Sequence, residues 1–161
     1  MTDPYRPLKD AFSRFGTGIT IVTCIGIDGQ PLGITVNSFT SVSLEPPLVL
    51  WCIDKETTIF DDFARASHYG VSVLAAGQKD RSTYYARPNH HHVPDQHLDH
   101  GYDGTPLLAG RVAGFDCRIV NRVDAGDHII LIGAVEKFDS NGDSPLLYVN
   151  RKYGQLIDIK E

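Results

Sequence analysis

The chain has 161 residues, 42% of them apolar and 22% charged, with a net charge of −5 when its seven His are neutral. By area scaling, a folded chain of this size exposes roughly 8,000 Å² of the about 26,000 Å² open in the unfolded state, enough burial to build a core without disulfides or a metal. The acidic balance excludes a basic nucleic-acid footprint and gives no pull toward an anionic membrane, and no apolar run reaches the roughly 18 residues of a membrane span.

Leu8, Ala11, Phe12 and Phe15 recur at helical spacing and predict a short helix with one apolar stripe, ended by Gly16-Thr17-Gly18. Ile19 to Ile25 is a β-branched run with two apolar faces, and Asp28-Gly29 turns it back into a second strand, Leu32 to Val36. Residues 37–43 are hydroxyl-rich and less regular. Pro46-Pro47 opens a strand from Leu48 to Ile53, and a helix follows over Thr57 to Ala66. Tyr69 to Ala75 predicts a strand and Gln78 to Ala86 a short helix. Asn89 to Thr105 is polar, long and without periodicity, hence a loop. Arg111 to Arg122 and His128 to Phe138 are long strands joined at Asp124-Ala125-Gly126. Asn141-Gly142 is a turn and Leu146 to Val149 a last strand.

The strands do not alternate with long helices, so a parallel βαβ sheet is excluded and a mainly β, Greek-key barrel with a few short helices fits. No repeat or low-complexity linker interrupts residues 1–161, which are expected to form one domain. The start, Met1-Thr2-Asp3-Pro4, lacks a basic-then-apolar leader. Cys24, Cys52 and Cys117 form no Cys-x-x-Cys pair and read as small buried side chains in a reducing compartment. A cytoplasmic location is expected.

Common site motifs fail. Gly16-x-Gly18 continues to Ile21 instead of Gly and leads into a strand, which rules out the dinucleotide fingerprint. Asp139-Ser140-Asn141-Gly142-Asp143 begins like a calcium loop, but Ser144 and Asn150 stand where that loop needs Gly and Glu. Five His fall at positions 90, 91, 92, 97 and 100. A mobile polar loop explains them better than a metal site, which needs a fixed second shell, so no metal is expected.

Other clusters carry more chemistry. Thr35, Val36, Asn37, Ser38, Ser41 and Val42 present hydroxyls, an amide and backbone groups over a short span, as the edge of a heterocycle requires; a plain hydroxyl-rich strand reads the same way. Asp54, Lys55, Thr57 and Thr58 stand at a helix start that could either be capped or meet a phosphate. Lys79, Arg81 and Ser82 offer two cations and a hydroxyl for a phosphate, or form a solvated helix face. His128 follows a Gly126-Asp127 turn, where it could reach into a pocket.

The order of these segments resembles the flavin reductase family, small split-barrel proteins that supply reduced flavin to two-component monooxygenases. The resemblance spans Phe12 to Tyr153. It rests on Gly33-Ile34-Thr35-Val36-Asn37-Ser38-Phe39-Thr40-Ser41-Val42-Ser43-Leu44 with Pro46-Pro47-Leu48-Val49, on Phe15-x-Thr17-Gly18, on Gly126-Asp127-His128, and on Pro145-Leu146-Leu147-Tyr148 with Tyr153-Gly154. It implies an FMN-binding split barrel that transfers a hydride from NADH or NADPH to FMN, or to FAD, as a homodimer partnered by a monooxygenase. The resemblance places Thr35, Val36, Asn37 and Ser38 along the isoalloxazine ring, with Ser41 and Val42 close by. Asp54, Lys55, Thr57 and Thr58 would meet the ribityl phosphate, His128 the nicotinamide side, and Tyr153 the flavin border. Backbone amides of residues 37–41 would stabilise charge on the reduced ring. Two departures stand out. Arg81 and Tyr85 replace the Leu and Phe of the usual Gln-x-x-Leu-Ser-x-x-Phe-Ala, leaving Arg81 to contact phosphate or to pair with Asp80 or Glu136. The His-rich loop is the other. Competing readings are a flavin-binding split barrel without reductase turnover and a metal-binding module built on that loop.

Overall fold

The computed structural model describes residues 3–100 and 102–157; Met1-Thr2 of the leader reading and Gly101 of the long loop lie outside them. Helix α1 (Arg6–Phe12) precedes β1 (Thr17–Gly18), β2 (Thr20–Ile25), β3 (Pro31–Val36), β4 (Thr40–Leu44) and β5 (Pro47–Asp54). Helix α2 (Phe60–Arg65), β6 (His68–Val73) and α3 (Lys79–Tyr85) follow. A 3₁₀ turn at Asp95–His97 then leads to β7 (Ala113–Ala125), β8 (His128–Ser140), β9 (Leu147–Val149) and β10 (Lys152–Gly154).

Seven strands pair antiparallel in the order β3-β2-β6-β7-β8-β5-β4, and β1-β9-β10 form a small second sheet. The non-sequential pairings β2 with β6 and β5 with β8 are Greek-key in character, and the fold is a mainly β split barrel with few helices. Strand β2 is buried on both faces, as its apolar run requires. Its Val22 and Cys24 join Trp51, Phe63, Tyr69, Val71, Cys117 and Leu131 in the barrel interior, while Ile21 joins Leu74, Tyr85, Val93 and Leu108 in a second cluster beneath α3. Trp51 meets Phe63 and Tyr69 edge-on at 4.9 and 5.9 Å, geometry that its ring quadrupole favours. Gly133 on β8 lets the Tyr69 ring lie flush against that strand, because a Cβ there would overlap the ring and come within 2.9 Å of the Cys117 Cβ.

Four expectations are corrected. Helix α1 lies nearer the N-terminus than its stripe suggested and buries nothing; Phe12 and Phe15 are 68% and 79% exposed, because no element of the described chain packs on that face. The hydroxyl-rich segment becomes the outer strand β4, with a bulge between Ser41 and Ser43 that accounts for its irregular pattern. The long loop is pinned rather than mobile: His92 bridges Leu32 and Leu98 bridges Leu108. Strand β10, too short to show a period, completes the small sheet.

Candidate functional site

A groove runs between β3, α3 and the small sheet. Its first chamber, about 220 Å³, is lined by Ile19, Thr35, Val36, Asn37, Ser82, Ala86, Tyr148 and Tyr153. A second chamber of about 300 Å³ is lined by Ile34, Asp54, Glu56, Thr57, Thr58, Tyr85, Pro88 and His91, and shares Thr35 and Ala86 with the first.

The end of β3 is fixed against α3 by the Thr35 hydroxyl, which donates to the Ser82 carbonyl at 2.7 Å. The Ser82 hydroxyl in turn lies 3.1 Å from the Tyr153 hydroxyl, and Tyr153 packs across Tyr148 with centroids 5.4 Å apart. These contacts assemble the aromatic wall of the first chamber. The Asn37 side-chain amide and the Thr57 and Thr58 hydroxyls bond to no group of the described residues. They are polar groups left for something that enters the groove. An amphipathic guest fits, with an aromatic end against Val36, Tyr148 and Tyr153 and a polar end toward Thr57 and Thr58. A flavin nucleotide has that character.

Eight of the residues singled out in the sequence line the groove: Thr35, Val36, Asn37, Ser82 and Tyr153 with Asp54, Thr57 and Thr58. The others stand elsewhere. Ser38 ties its segment to β5, its hydroxyl accepting from the Cys52 N–H at 3.0 Å. Ser41 and Val42 are exposed on β4. Lys79 reaches the rim, its ammonium 5.4 Å from the Tyr153 ring centroid. Lys55 turns away from the groove and donates to Asp124 at 3.0 Å and to the Gly126 carbonyl at 2.7 Å, since a carboxylate and a carbonyl lie within its reach on the β7–β8 turn.

Arg81 meets neither phosphate space, Asp80 nor Glu136. Its guanidinium donates to His97 Nε2, and the Tyr85 hydroxyl lies 2.7 Å from His97 Nδ1. Burial, and then the Arg81 charge, hold the His97 imidazole below the ordinary histidine value, so it stays neutral and accepts from Arg81. Glu136 pairs instead with Arg118 and His68. Helix α2 has no side-chain cap: Asp54 accepts from the Glu56 N–H at 2.8 Å in a tight turn before it. Among the described residues no three His, Cys, Asp or Glu side chains converge as a metal ion would need.

His128 lines neither chamber. It opens β8 after Gly126, whose φ of +70° makes the turn, and it stands opposite Asp54 in the β5–β8 register. Its Nδ1–H donates to Asp127 at 2.7 Å, which holds that carboxyl below the usual range. Backbone and side-chain bonds of Lys55 to Asp127 and Gly126 clamp this turn to the margin of the second chamber. Residues missed in the sequence include Tyr148, Tyr85 and His91. Only the paired Tyr148 and Tyr153 left a signal, as aromatics bracketing a turn.

Burial raises the thiols of Cys24 and Cys117 to about 12, so both remain protonated core side chains. No helix of the described residues is long and apolar enough to cross a membrane.

Residues 12–156 match the model of the flavin reductase like domain. The reductase component of a flavin-dependent trigonelline monooxygenase from Acinetobacter baylyi is 46% identical over 92% of this chain and 48% of its own length. An FMN reductase (NADH) from Agrobacterium fabrum is 37% identical over 94% of this chain and 86% of its own. A Streptomyces globisporus NADH:FAD oxidoreductase, solved in complex with NAD and FAD fragments, superposes with a TM-score of 0.82 at 34% identity, covering 98% of this chain and 96% of that one. The chain spans about half the length of the first two curated relatives, 48% of each. The sequence match across nearly all of the chain, the shared split barrel and the groove at the end of β3 agree: the chain belongs to the flavin reductase-like domain family.

Proposed function

We propose that this chain is an NADH-dependent flavin reductase that passes reduced flavin to a partner monooxygenase. The carrying observation is the groove itself, which joins a chamber walled by Tyr148, Tyr153 and Val36 to a second one holding the unengaged Thr57 and Thr58 hydroxyls. Relatives named as reductase components of a trigonelline monooxygenase and of a tryptophan halogenase support the partner class, and relatives named for NADH support the donor. FMN and FAD both occur in those names.

Bound flavin supplies the hydride-accepting chemistry. The chain's part is to hold the two rings in register, where alignment at about 3–3.5 Å accounts for most of the gain in a hydride transfer. In this reading Thr35, Val36, Asn37 and the backbone amides after them border the ring, Tyr153 closes its edge, and Thr57 and Thr58 take the ribityl phosphate. Behind that layer, Ser38 ties its segment to β5, Lys55 holds the β7–β8 turn and Arg81 bonds His97. His128 positions the nicotinamide nucleotide from the margin. The active unit is a homodimer.

Anaerobic stopped-flow absorbance at the flavin band tests the reading, with FMN or FAD mixed against NADH or NADPH. The expected result is bleaching that scales with protein and is faster with NADH. Flavin binding without bleaching by either nucleotide would leave a flavin-binding barrel without turnover.

A further inference from the structure

The His-rich loop contributes one side chain to the groove. The Gly33 N–H donates to the His91 carbonyl at 2.7 Å and the Val93 N–H to the Pro31 carbonyl at 2.9 Å, so residues 91–93 lie against β3 like a short extra strand. Strand alternation turns His91 and Val93 inward and His92 outward. His91 is buried and lines the second chamber with Asp54, Glu56, Thr57 and Thr58.

The tautomer of that ring is set by its neighbour. His91 Nδ1 lies 3.1 Å from the Gly33 carbonyl oxygen. A carbonyl only accepts, so Nδ1 carries the hydrogen and the neutral ring presents a bare lone pair at Nε2. That Nε2 bonds to no group of the described residues. The chamber that His91 lines also takes Asp54 and Glu56 from β5 and the turn after it and, from α3, Tyr85, whose hydroxyl is committed to His97. Strand β3 brings Ile34 and Thr35, neither titratable. His90 packs on Tyr84 at 5.0 Å. No Lys or Arg lines the chamber, and Lys55 is held on Asp124.

Building on the flavin reading, we propose that His91 makes the second chamber a proton-linked phosphate subsite, in which the phosphoryl end of FMN enters with one proton shared between its oxygen and His91 Nε2. A fully ionised phosphate offers only acceptors, and it would face a lone pair and two carboxylates. One proton from solvent, carried in on either the imidazole or the phosphate, converts that clash into a charge-assisted hydrogen bond. The Thr57 and Thr58 hydroxyls donate two more.

The test compares FMN with riboflavin, which has the same ring and no phosphate, by fluorescence titration of the flavin-free protein between about pH 6 and pH 8.5. A phosphate monoester loses its second proton near about 6, so above about pH 7 a complex that must take up one proton is expected to show an FMN dissociation constant rising up to about tenfold per pH unit. Riboflavin binding should stay flat. His91→Gln donates an N–H without taking up a proton, so its FMN affinity should lose that slope while its riboflavin affinity is kept. His91→Asn, which retains the donor to Gly33, should lose the slope too. A flat FMN profile in the unmodified protein overturns the proposal. So does the same slope in both variants, or a Lys79→Met variant that alone erases the preference for FMN over riboflavin. If neither flavin binds, the flavin reading itself falls, an outcome distinct from the other three.

Discussion

His128 keeps one ring nitrogen on Asp127 and stands across the β5–β8 register from Asp54, and the proposed function has it position the nicotinamide nucleotide. We expect His128→Ala to raise the KM for NADH several-fold with kcat little changed, because a contact made equally in ground and transition states is lost. An unchanged KM in steady-state assays would remove His128 from the nucleotide site. His97 carries a different prediction. Its folded imidazole titrates below the ordinary value of about 6.5 that it recovers on unfolding. Its contribution is therefore present above about pH 6.5 and drains away as pH falls, because the unfolded chain takes up the proton first. Urea midpoints measured at pH 7.5 and pH 5 should drop less in His97→Gln than in the unmodified protein; an equal drop would assign the acid sensitivity elsewhere. The polar residues lining the groove near the ends of β3 and β5 were legible in the sequence, since Thr35, Asn37, Thr57 and Thr58 cluster where strands stop. His91 was not, because its inward facing depends on pairing with Gly33, 58 positions away. The contacts of Lys55 and Arg81 were hidden for a related reason: a long cation takes whichever acceptor the tertiary fold brings within reach.

Among the elements, the long loop and the β7–β8 ribbon meet at Arg111. Its side chain is 6% exposed and bonds to Asp99 on the loop at 2.8 Å and to Asp139 near the end of β8. It also donates to the Leu108 carbonyl at 2.9 Å, so one guanidinium joins loop and sheet. Removing it takes the shared cation away from two carboxylates, both partly hydrated. We expect Arg111→Leu to cost about 2–3 kcal/mol, at or just below the roughly 3–5 kcal/mol for breaking a fully buried pair, because the carboxylates are partly hydrated. That corresponds to a fall of roughly 5–10 °C in Tm for a chain of this length, read by calorimetry. A loss within about 0.5 kcal/mol, the range for ordinary surface substitutions, would show the loop held without it. The strands flanking this junction were plain from their β-branched runs, and β2 announced its two buried faces by being apolar at nearly every position. The loop's attachment was hidden, because single bridges such as Leu32 to His92 leave no periodic trace. Helix α1 shows the converse: its apolar spacing marked a helix, but the helix ends at Phe12, short of Phe15, and buries none of its residues.

At the scale of the whole molecule, β4 and the N-terminal helix are among the places where the described chain leaves large apolar side chains outside. Leu44 is 93% exposed on β4, an outer strand whose second edge pairs with no strand of the described chain, and Phe12 and Phe15 are exposed on and after α1. An edge strand with apolar side chains and an amphipathic helix without a partner are both costly in water, and symmetric pairing of two copies would cover both. The Asn37 to Ser41 segment leads directly into β4, so an interface formed there would also border the first chamber of the groove. Sedimentation equilibrium at micromolar concentration is therefore expected to report a dimer. Leu44→Glu combined with Phe15→Glu should shift it toward monomer, since burying two carboxylates without partners costs several kcal/mol. The same double variant should bind FMN more weakly, although it alters no residue lining either chamber. A monomeric unmodified protein would sink the pairing. A monomeric variant with undiminished FMN affinity would keep the dimer but separate it from the flavin groove.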